Sequence, residues 1–484
     1  MSSRLAEAVR NRLDLFVSLG CGVLLCVLVS GGENPVLLAL SLTIYLFTAL
    51  VLLKNAGGFT VTPALMFYLL FTILIYISGL GFFFTDGVES IYGGGVRNYT
   101  FYLAIHGGIL TLALGTIMAT ISFNFRPTLE LLRFRDLTWN DYHREPGYII
   151  TLVLLGILAL SATAFFIQQR GFIPIIEILR AQGQSNIYEL AGQSRALFSR
   201  FGKGAGTYLY GGYFQQFYLV ILPFLTLVIA AKYLHQRKKI ILSLWLVAGV
   251  VSGFFLVMSL QRWPLMFFII LNYILYTSYS SRIKATHSIF FILVAISLFG
   301  LLTYIRGITE FEVLLVWLKN RIFRTQSEAF YAIFEMFPDH FAFFGGSGVL
   351  RDLKGVLPGP DAGFSRWMFD ALYRVYGNGT APTIFWGQLY ADFNLLGVWI
   401  GSMAAGFVMQ TVFIIYLRSK KVLLHLVIFT MLTMALAELA VSNLMIIIFQ
   451  FGMITLFLLV VSLNIGGWIF STRGLATVVI QRNH

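Results

Sequence analysis

Residues 376–417 read YGNGTAPTIFWGQLYADFNLLGVWIGSMAAGFVMQTVFIIYL. The stretch opens as a Gly/Asn/Thr turn and passes into an apolar run over 385–416 whose one formal charge is Asp392. About 20 apolar residues suffice to carry a helix across a bilayer, so this run predicts a membrane span. Thr380 or Thr383 can cap the incoming helix. Pro382 suits its first turn, where a missing N–H loses no helical partner. The positive end of such a helix faces the polar collar and favours an anion there. Gly387 lets a neighbour approach closely, and Asp392 either pairs with a nearby arginine or holds two helices together.

The rest of the chain is of the same kind. Of its 484 residues, 58% are hydrophobic and 11% charged. A soluble domain of this size cannot bury that much apolar surface, because part of any fold faces water. Long apolar runs recur and short alternating strands do not, so the expected class is an all-α polytopic membrane protein rather than a barrel. Arg4, Arg10 and Arg12 precede the first apolar stretch as in a signal peptide, but no small-residue cleavage site follows and the stretch reads as a retained helix. Cys21 and Cys26 fall in it on different faces, which predicts neither a disulfide nor a metal pair.

Twelve transmembrane helices are expected, near 15–31, 36–53, 61–84, 99–122, 148–167, 210–231, 240–260, 264–280, 288–305, 385–416, 422–440 and 444–470. Lys54, Arg126, Arg133, Arg135, Arg144, Lys232, Arg237, Lys238, Lys239, Arg282, Lys284, Arg418, Lys420, Lys421, Arg473 and Arg482 then fall on one side. The opposite short connections hold only Arg97 and Arg262. The positive-inside rule puts both termini in the cytoplasm. Two external loops are long, 168–209 and 306–384, and together hold thirteen of the 34 basic residues. The larger loop also holds eight acids, so its formal charge is zero and it reads as a structured segment with amphipathic helices.

Several groups in these loops could carry chemistry. In FEVLLVWLKNRIFRTQSEAFYAIFEMF (311–337), Arg321, Arg324, Glu328, Tyr331 and Glu335 recur at helical steps and form one polar stripe. That stripe is either the solvated face of a helix on the outer leaflet or an inward face ready for a phosphate. Arg262, in SLQRWP, and Arg306, in TYIRGITE, each sit at the end of a span, where a charge either snorkels to the headgroups or binds an anion. In PDHFAFFGGSGVLRDLK (338–354), His340 can serve as a base near neutral pH, with Asp339 beside it. The turn at Gly345, Gly346 and Gly348 followed by Arg351 and Lys354 suits a phosphate, although the lysine motif of nucleotide-binding loops is missing. No cluster has metal-ligand spacing, so no tightly held metal is expected. No nucleophile elbow is present.

With these features the chain resembles the Wzy-type polymerases of lipid-linked oligosaccharide repeat units, including O-antigen and enterobacterial common antigen polymerases. The resemblance is dispersed over SLQRWP, YIRG, SEAFYAIFEMF, GGSGVLRDL and GTAPTIFWGQLYADFNLLGVWIG. Some members carry Arg, ten residues, then Gly in two external loops; Arg195–Gly206, Arg200–Gly211 and Arg366–Gly377 have that spacing. One departure is YADFNLLG, with Asn394 where relatives often have Gly.

The resemblance implies a single integral membrane domain over 1–484 with a GT-C-like architecture, in the bacterial cytoplasmic (inner) membrane, working at its external face without metal or cofactor. It implies a glycosyltransferase that moves a growing glycan from undecaprenyl pyrophosphate onto the non-reducing end of an incoming lipid-linked repeat. His340, Asp339 and Glu328, in that order, are then the candidate bases. Arg262, Arg306, Arg321, Arg324, Arg351, Lys354, Arg195 and Arg200, with Tyr331 and Thr383, are the candidates for binding substrate and pyrophosphate. Expected partners are undecaprenyl-pyrophosphate-linked oligosaccharides, membrane lipid and a Wzz-like chain-length regulator, with no nucleic acid. An O-antigen-ligase-type transferase is an alternative. So is a transporter or flippase of lipid-linked glycans, which would need essential ionisable residues near the midplane; only Asp392 and Glu438 fall well within spans.

Overall fold

The computed structural model describes residues 34–57, 61–84, 99–140, 146–183, 186–199, 211–280, 285–308, 325–356, 363–373, 383–449 and 452–469, with Ala381 and isolated positions between 310 and 320. Among them the elements are helical, with one isolated bridge between Asn140 and Val422. Eight helices are long and apolar enough to cross a membrane: Pro35–Asn55, Pro63–Gly81, Tyr99–Ser122, Gly147–Arg170, Phe214–Gln236, Lys239–Val257, Phe385–Arg418 and Leu423–Ala440. This is the architecture of a polytopic α-helical membrane protein.

Differences from the expected spans have local causes. The first, near 15–31 with Cys21 and Cys26, lies outside the described residues. That near 264–280 is the helix Trp263–Ser280, whose Asn272 and polar ending YTSYS keep it out of the eight. That near 288–305 lies in the helix Ala285–Ile305, of which Leu293–Ile305 counts as a shorter apolar helix. The run expected as one span over 444–470 is two helices, Leu444–Phe449 and Met453–Ile469. Gly452, directly before the second helix, has φ +83, outside the helical region, and its carbonyl accepts from Leu456 N–H at 2.6 Å.

The chain divides into two compact units. The first comprises Met1–Asp136, Leu315–Arg418 and Thr433–Ile447. Its entries are set by proline and a cap: Asn34 and Thr62 accept from the N–H groups of Leu37 and Leu65, each ahead of a proline at the first helical position. Helices Tyr99–Ser122 and Phe385–Arg418 lie in close contact because glycine faces backbone: a Cβ on Gly115 would collide with Met403, and one on Gly406 with Leu112. Asn55 adds polar glue, donating to Thr116 Oγ1 at 2.9 Å while its carbonyl accepts from Gln410 at 3.1 Å.

The second unit comprises Leu137–Leu314, Ser419–Leu432 and Ile448–His484. The hydroxyls of Thr226 and Ser252, 2.8 Å apart, link helices Leu222–Gln236 and Lys239–Val257. Leu265, Met266 and Leu302 form a buried cluster with Phe299 and Trp263 packed against it, joining the start of Trp263–Ser280 to the end of Ala285–Ile305. Helix Pro174–Arg180 and the turn after it, from the first long loop, dock on two helix ends: Ile175 N–H donates to Met258 O, which caps Lys239–Val257, and Gln182 Nε2 to Ile305 O at 2.9 Å.

Candidate functional site

In the first unit the site is built around a broken helix. Within Phe385–Arg418, Asn394 has φ 60 and ψ −161, a region otherwise left to glycine. Its own Oδ1 accepts from Leu395 N–H at 2.7 Å. In an unbroken helix the carbonyls of Ala391 and Asp392 would accept from residues 395 and 396. Here Phe344 N–H takes the first at 2.9 Å and Gly345 N–H the second at 3.0 Å.

The Asp392 side chain completes the clamp. Its Oδ1 accepts from Gly348 N–H at 2.8 Å and its Oδ2 from Val349 N–H at 3.0 Å. Both donors belong to the first turn of helix Ser347–Val356, so the buried carboxylate caps that helix and meets its positive end. Gly348 is required, since a Cβ there would lie 2.7 Å from Oδ1. Gly345 and Gly346, at φ 58 and 93, supply the turn leading in. Of the two roles expected for Asp392, holding elements together is the one these bonds display.

A second carboxylate repeats the device. Asp352, buried on helix Ser347–Val356, accepts from Phe364 N–H at 2.6 Å, at the start of helix Phe364–Tyr373. Its other oxygen accepts from Gln388 Nε2 at 2.9 Å and Asn443 Nδ2 at 3.1 Å. Asn443 also donates to Ser365 Oγ at 3.1 Å and accepts from Thr383 Oγ1 at 3.4 Å. Burial pushes the Asp352 carboxyl above its ordinary value, and the three donors oppose that shift. Thr383, expected as a cap or a substrate contact, is fully buried in this network. Asp352, Gln388, Ser365 and Asn443 were not among the expected site residues; the signal available was a polar side chain inside an apolar stretch, as in IFWGQLY and VSNLMII.

Arg351 precedes Asp352 on the same helix. Its guanidinium stands over the Phe344 ring at 5.0 Å and the Trp367 ring at 5.9 Å. Phe341 and Phe344 meet Trp367 edge to face at 5.2 and 5.0 Å. Phe337 packs beneath, against Phe341, Phe343 and Phe344. Asp339 and His340 are exposed at the rim, with Asp339 in electrostatic reach of Tyr390.

Helix Thr325–Met336 differs from the stripe expected of it. Tyr331 is buried and meets the Phe101 ring at 4.9 Å, edge to face. Ala329, Phe330, Ala332, Ile333, Phe334 and Met336 are buried too, so the helix is enclosed nearly all round, with Glu328 and Glu335 half-buried. Its enclosure depends on Gly387, where a Cβ would strike Ile333, as the close approach expected of that glycine requires. The Ser78 and Ser327 hydroxyls hydrogen-bond across the same contact.

In the second unit, Arg262 and Arg306 are each 8% exposed. Arg262 opens helix Trp263–Ser280 and lies over the Phe299 ring at 5.2 Å; Arg306 follows helix Ala285–Ile305. Both thus stand at the ends joined by the Leu265/Leu302 cluster, where the first long loop docks. The turn that presents Arg262 holds the buried Leu260 at φ 58, a strained conformation for leucine.

Arg195 lies on helix Ile187–Ser199 and Lys354 on Ser347–Val356; their side chains, and the whole of Arg200, Arg321, Arg324, Thr380 and Pro382, lie outside the described residues. Among the described residues, no group of three or more His, Cys, Asp and Glu could hold a metal ion. Comparison of the chain with family models, curated proteins and solved structures finds no match.

Proposed function

We propose that the protein is a metal-independent glycosyltransferase of the Wzy type. It would have twelve spans in a GT-C-like arrangement with both termini cytoplasmic, and would polymerise undecaprenyl-pyrophosphate-linked repeat units at the external face of the bacterial inner membrane. The observation that carries this reading is the burial of two arginines, Arg262 and Arg306, at one end of the second unit. A guanidinium stays charged at any working pH and grips phosphate oxygens in pairs. An ionisable group kept at the edge of an apolar segment is by default a functional-site candidate, and for an arginine the matching ligand is an anion. A departing pyrophosphate is such an anion, and stabilising it is the electrostatic part of the transfer.

A test uses purified protein and lipid-linked repeats. Wild type makes a ladder of glycans, and Arg262→Ala and Arg306→Ala do not, although both remain monodisperse. Normal ladders from both variants remove the pyrophosphate site from these residues.

A second reading, transport of lipid-linked glycans, draws on Glu438, fully buried in the apolar segment Leu423–Ala440. The broken helix gives it less support, because the carbonyls exposed at the break are already taken by Phe344 and Gly345. Lipid movement in a scrambling assay without new glycosidic bonds selects transport.

A further inference from the structure

Arg351 was expected to bind pyrophosphate, and its surroundings argue for a different ligand. Its guanidinium face is occupied by the Phe344 and Trp367 rings. Asp392 lies in electrostatic reach of it, with its own oxygens held by the Gly348 and Val349 N–H groups. Asp352 follows it on the helix, and Asp339 stands at the rim. Carboxylates therefore outnumber guanidinium groups among the described side chains here.

We infer that Phe341, Phe344, Trp367 and Arg351 form a carbohydrate-binding platform that takes an uncharged sugar ring. Three features fit that ligand. Phe341, Phe344 and Trp367 are half-buried rings held edge to face, at 5.2 and 5.0 Å. A pyranose presents a flat face of polarised C–H bonds, which packs on the negative face of such rings. Asp339 and His340 at the rim, with exposed Ser347, offer the directional hydrogen bonds that sugar hydroxyls need. The platform is also rigid before any ligand arrives: Asp392 caps the helix bearing Arg351, and Asp352 anchors the first residue of the helix bearing Trp367. Preorganisation of this kind lowers the cost of binding a flexible glycan. The role of the platform as the acceptor-glycan subsite rests on the glycosyltransferase reading; the sugar chemistry of the platform does not.

The experiment uses the full chain in nanodiscs with chitotetraose, maltotetraose and inorganic pyrophosphate as probes, read by saturation-transfer NMR. At least one tetraose should bind through its ring C–H groups and be indifferent to competing pyrophosphate. Binding should weaken about tenfold in Trp367→Ala and Arg351→Ala and persist in Trp367→Tyr, which keeps a stacking ring. Unchanged melting of the variants excludes loss of fold as the cause. The platform is overturned if neither tetraose binds in a Trp367-dependent way, or if pyrophosphate displaces the sugar in an Arg351-dependent way. A protein that binds a tetraose through Trp367 but makes no ladder keeps the platform and overturns glycosyl transfer. One that makes a ladder yet binds no tetraose overturns the platform alone.

Discussion

Asp392 accepts from the backbone N–H groups of Gly348 and Val349, at 2.8 and 3.0 Å, so the residue at the break of one helix caps the start of another. Two elements far apart in sequence thereby share one set of hydrogen bonds. The loop 344–349 cannot leave without exposing the carbonyls of Ala391 and Asp392, and the break cannot heal without displacing the loop.

Removal of that carboxylate should therefore cost more than an ordinary cap. Asp392→Ala loses the cap, worth about 1 kcal/mol, and strands buried N–H groups, at about 1–3 kcal/mol. We expect a loss near 3 kcal/mol, with Asp392→Asn intermediate because one amide oxygen still accepts. Gly348→Ala, whose Cβ meets the same carboxylate, should behave like Asp392→Asn. Denaturant midpoints in detergent, followed by tryptophan fluorescence, measure all three. An unchanged midpoint for Asp392→Ala would detach the loop from the break.

Asn394 gives the opposite sign. Its φ of 60 with ψ −161 belongs to glycine, and strain of this type costs about 1–3 kcal/mol. Asn394→Gly should stabilise the protein by about 1 kcal/mol, since the side chain is exposed and its Oδ1 accepts from the adjacent Leu395 N–H. Asn394→Val, with a β-branched side chain, should destabilise it by at least as much. Equal melting temperatures for Gly and Val at this position would remove the strain argument.

The departure of Asn394 from the glycine common among the resembled family was readable in the sequence, but its meaning was not. Hydropathy located most spans closely, and Tyr99–Ser122 coincides with the run 99–122, because lipid-facing composition is a local property. Gly387 was legible as a close approach for the same reason. The partners of Asp352 lie 12, 36 and 91 residues away. Pairings at such separations leave no periodic mark. The enclosure of Tyr331 was hidden by the reverse effect: helical spacing gathers polar residues on one face, and spacing alone does not say what that face meets. The break within 444–470 needed only a glycine, which apolar counting passes over.

Asp352 makes stability depend on pH. Burial raises its carboxyl above the usual value, so the folded state holds its proton more tightly than the unfolded chain does. The associated stability is fully present below the ordinary carboxylate pKa of about 4 and is lost as pH rises through the raised value. Melting temperature should thus fall on going from acid towards neutral pH. Asp352→Asn should flatten that slope, at the cost of a lower plateau, because its amide N–H groups oppose the donors of Gln388 and Asn443. A slope of the same size in Asp352→Asn assigns the dependence to another group.

Arg262 separates function from stability most cleanly. At 8% exposure, beside the Phe299 ring and next to a turn strained at Leu260, it is an expensive residue to keep. An apolar side chain of similar length relieves the desolvation cost of a buried charge. Arg262→Met should therefore melt at or above the wild-type temperature, because methionine can still pack on Phe299, while losing ladder synthesis. Arg262→Lys keeps the charge but not the paired N–H fork, so it should retain a trace of activity, at least tenfold reduced. Scanning calorimetry and the ladder assay on the same preparations give both quantities. A protein that melts several degrees lower with methionine at this position yet polymerises normally would make Arg262 a packing residue, and the pyrophosphate would have to be sought elsewhere.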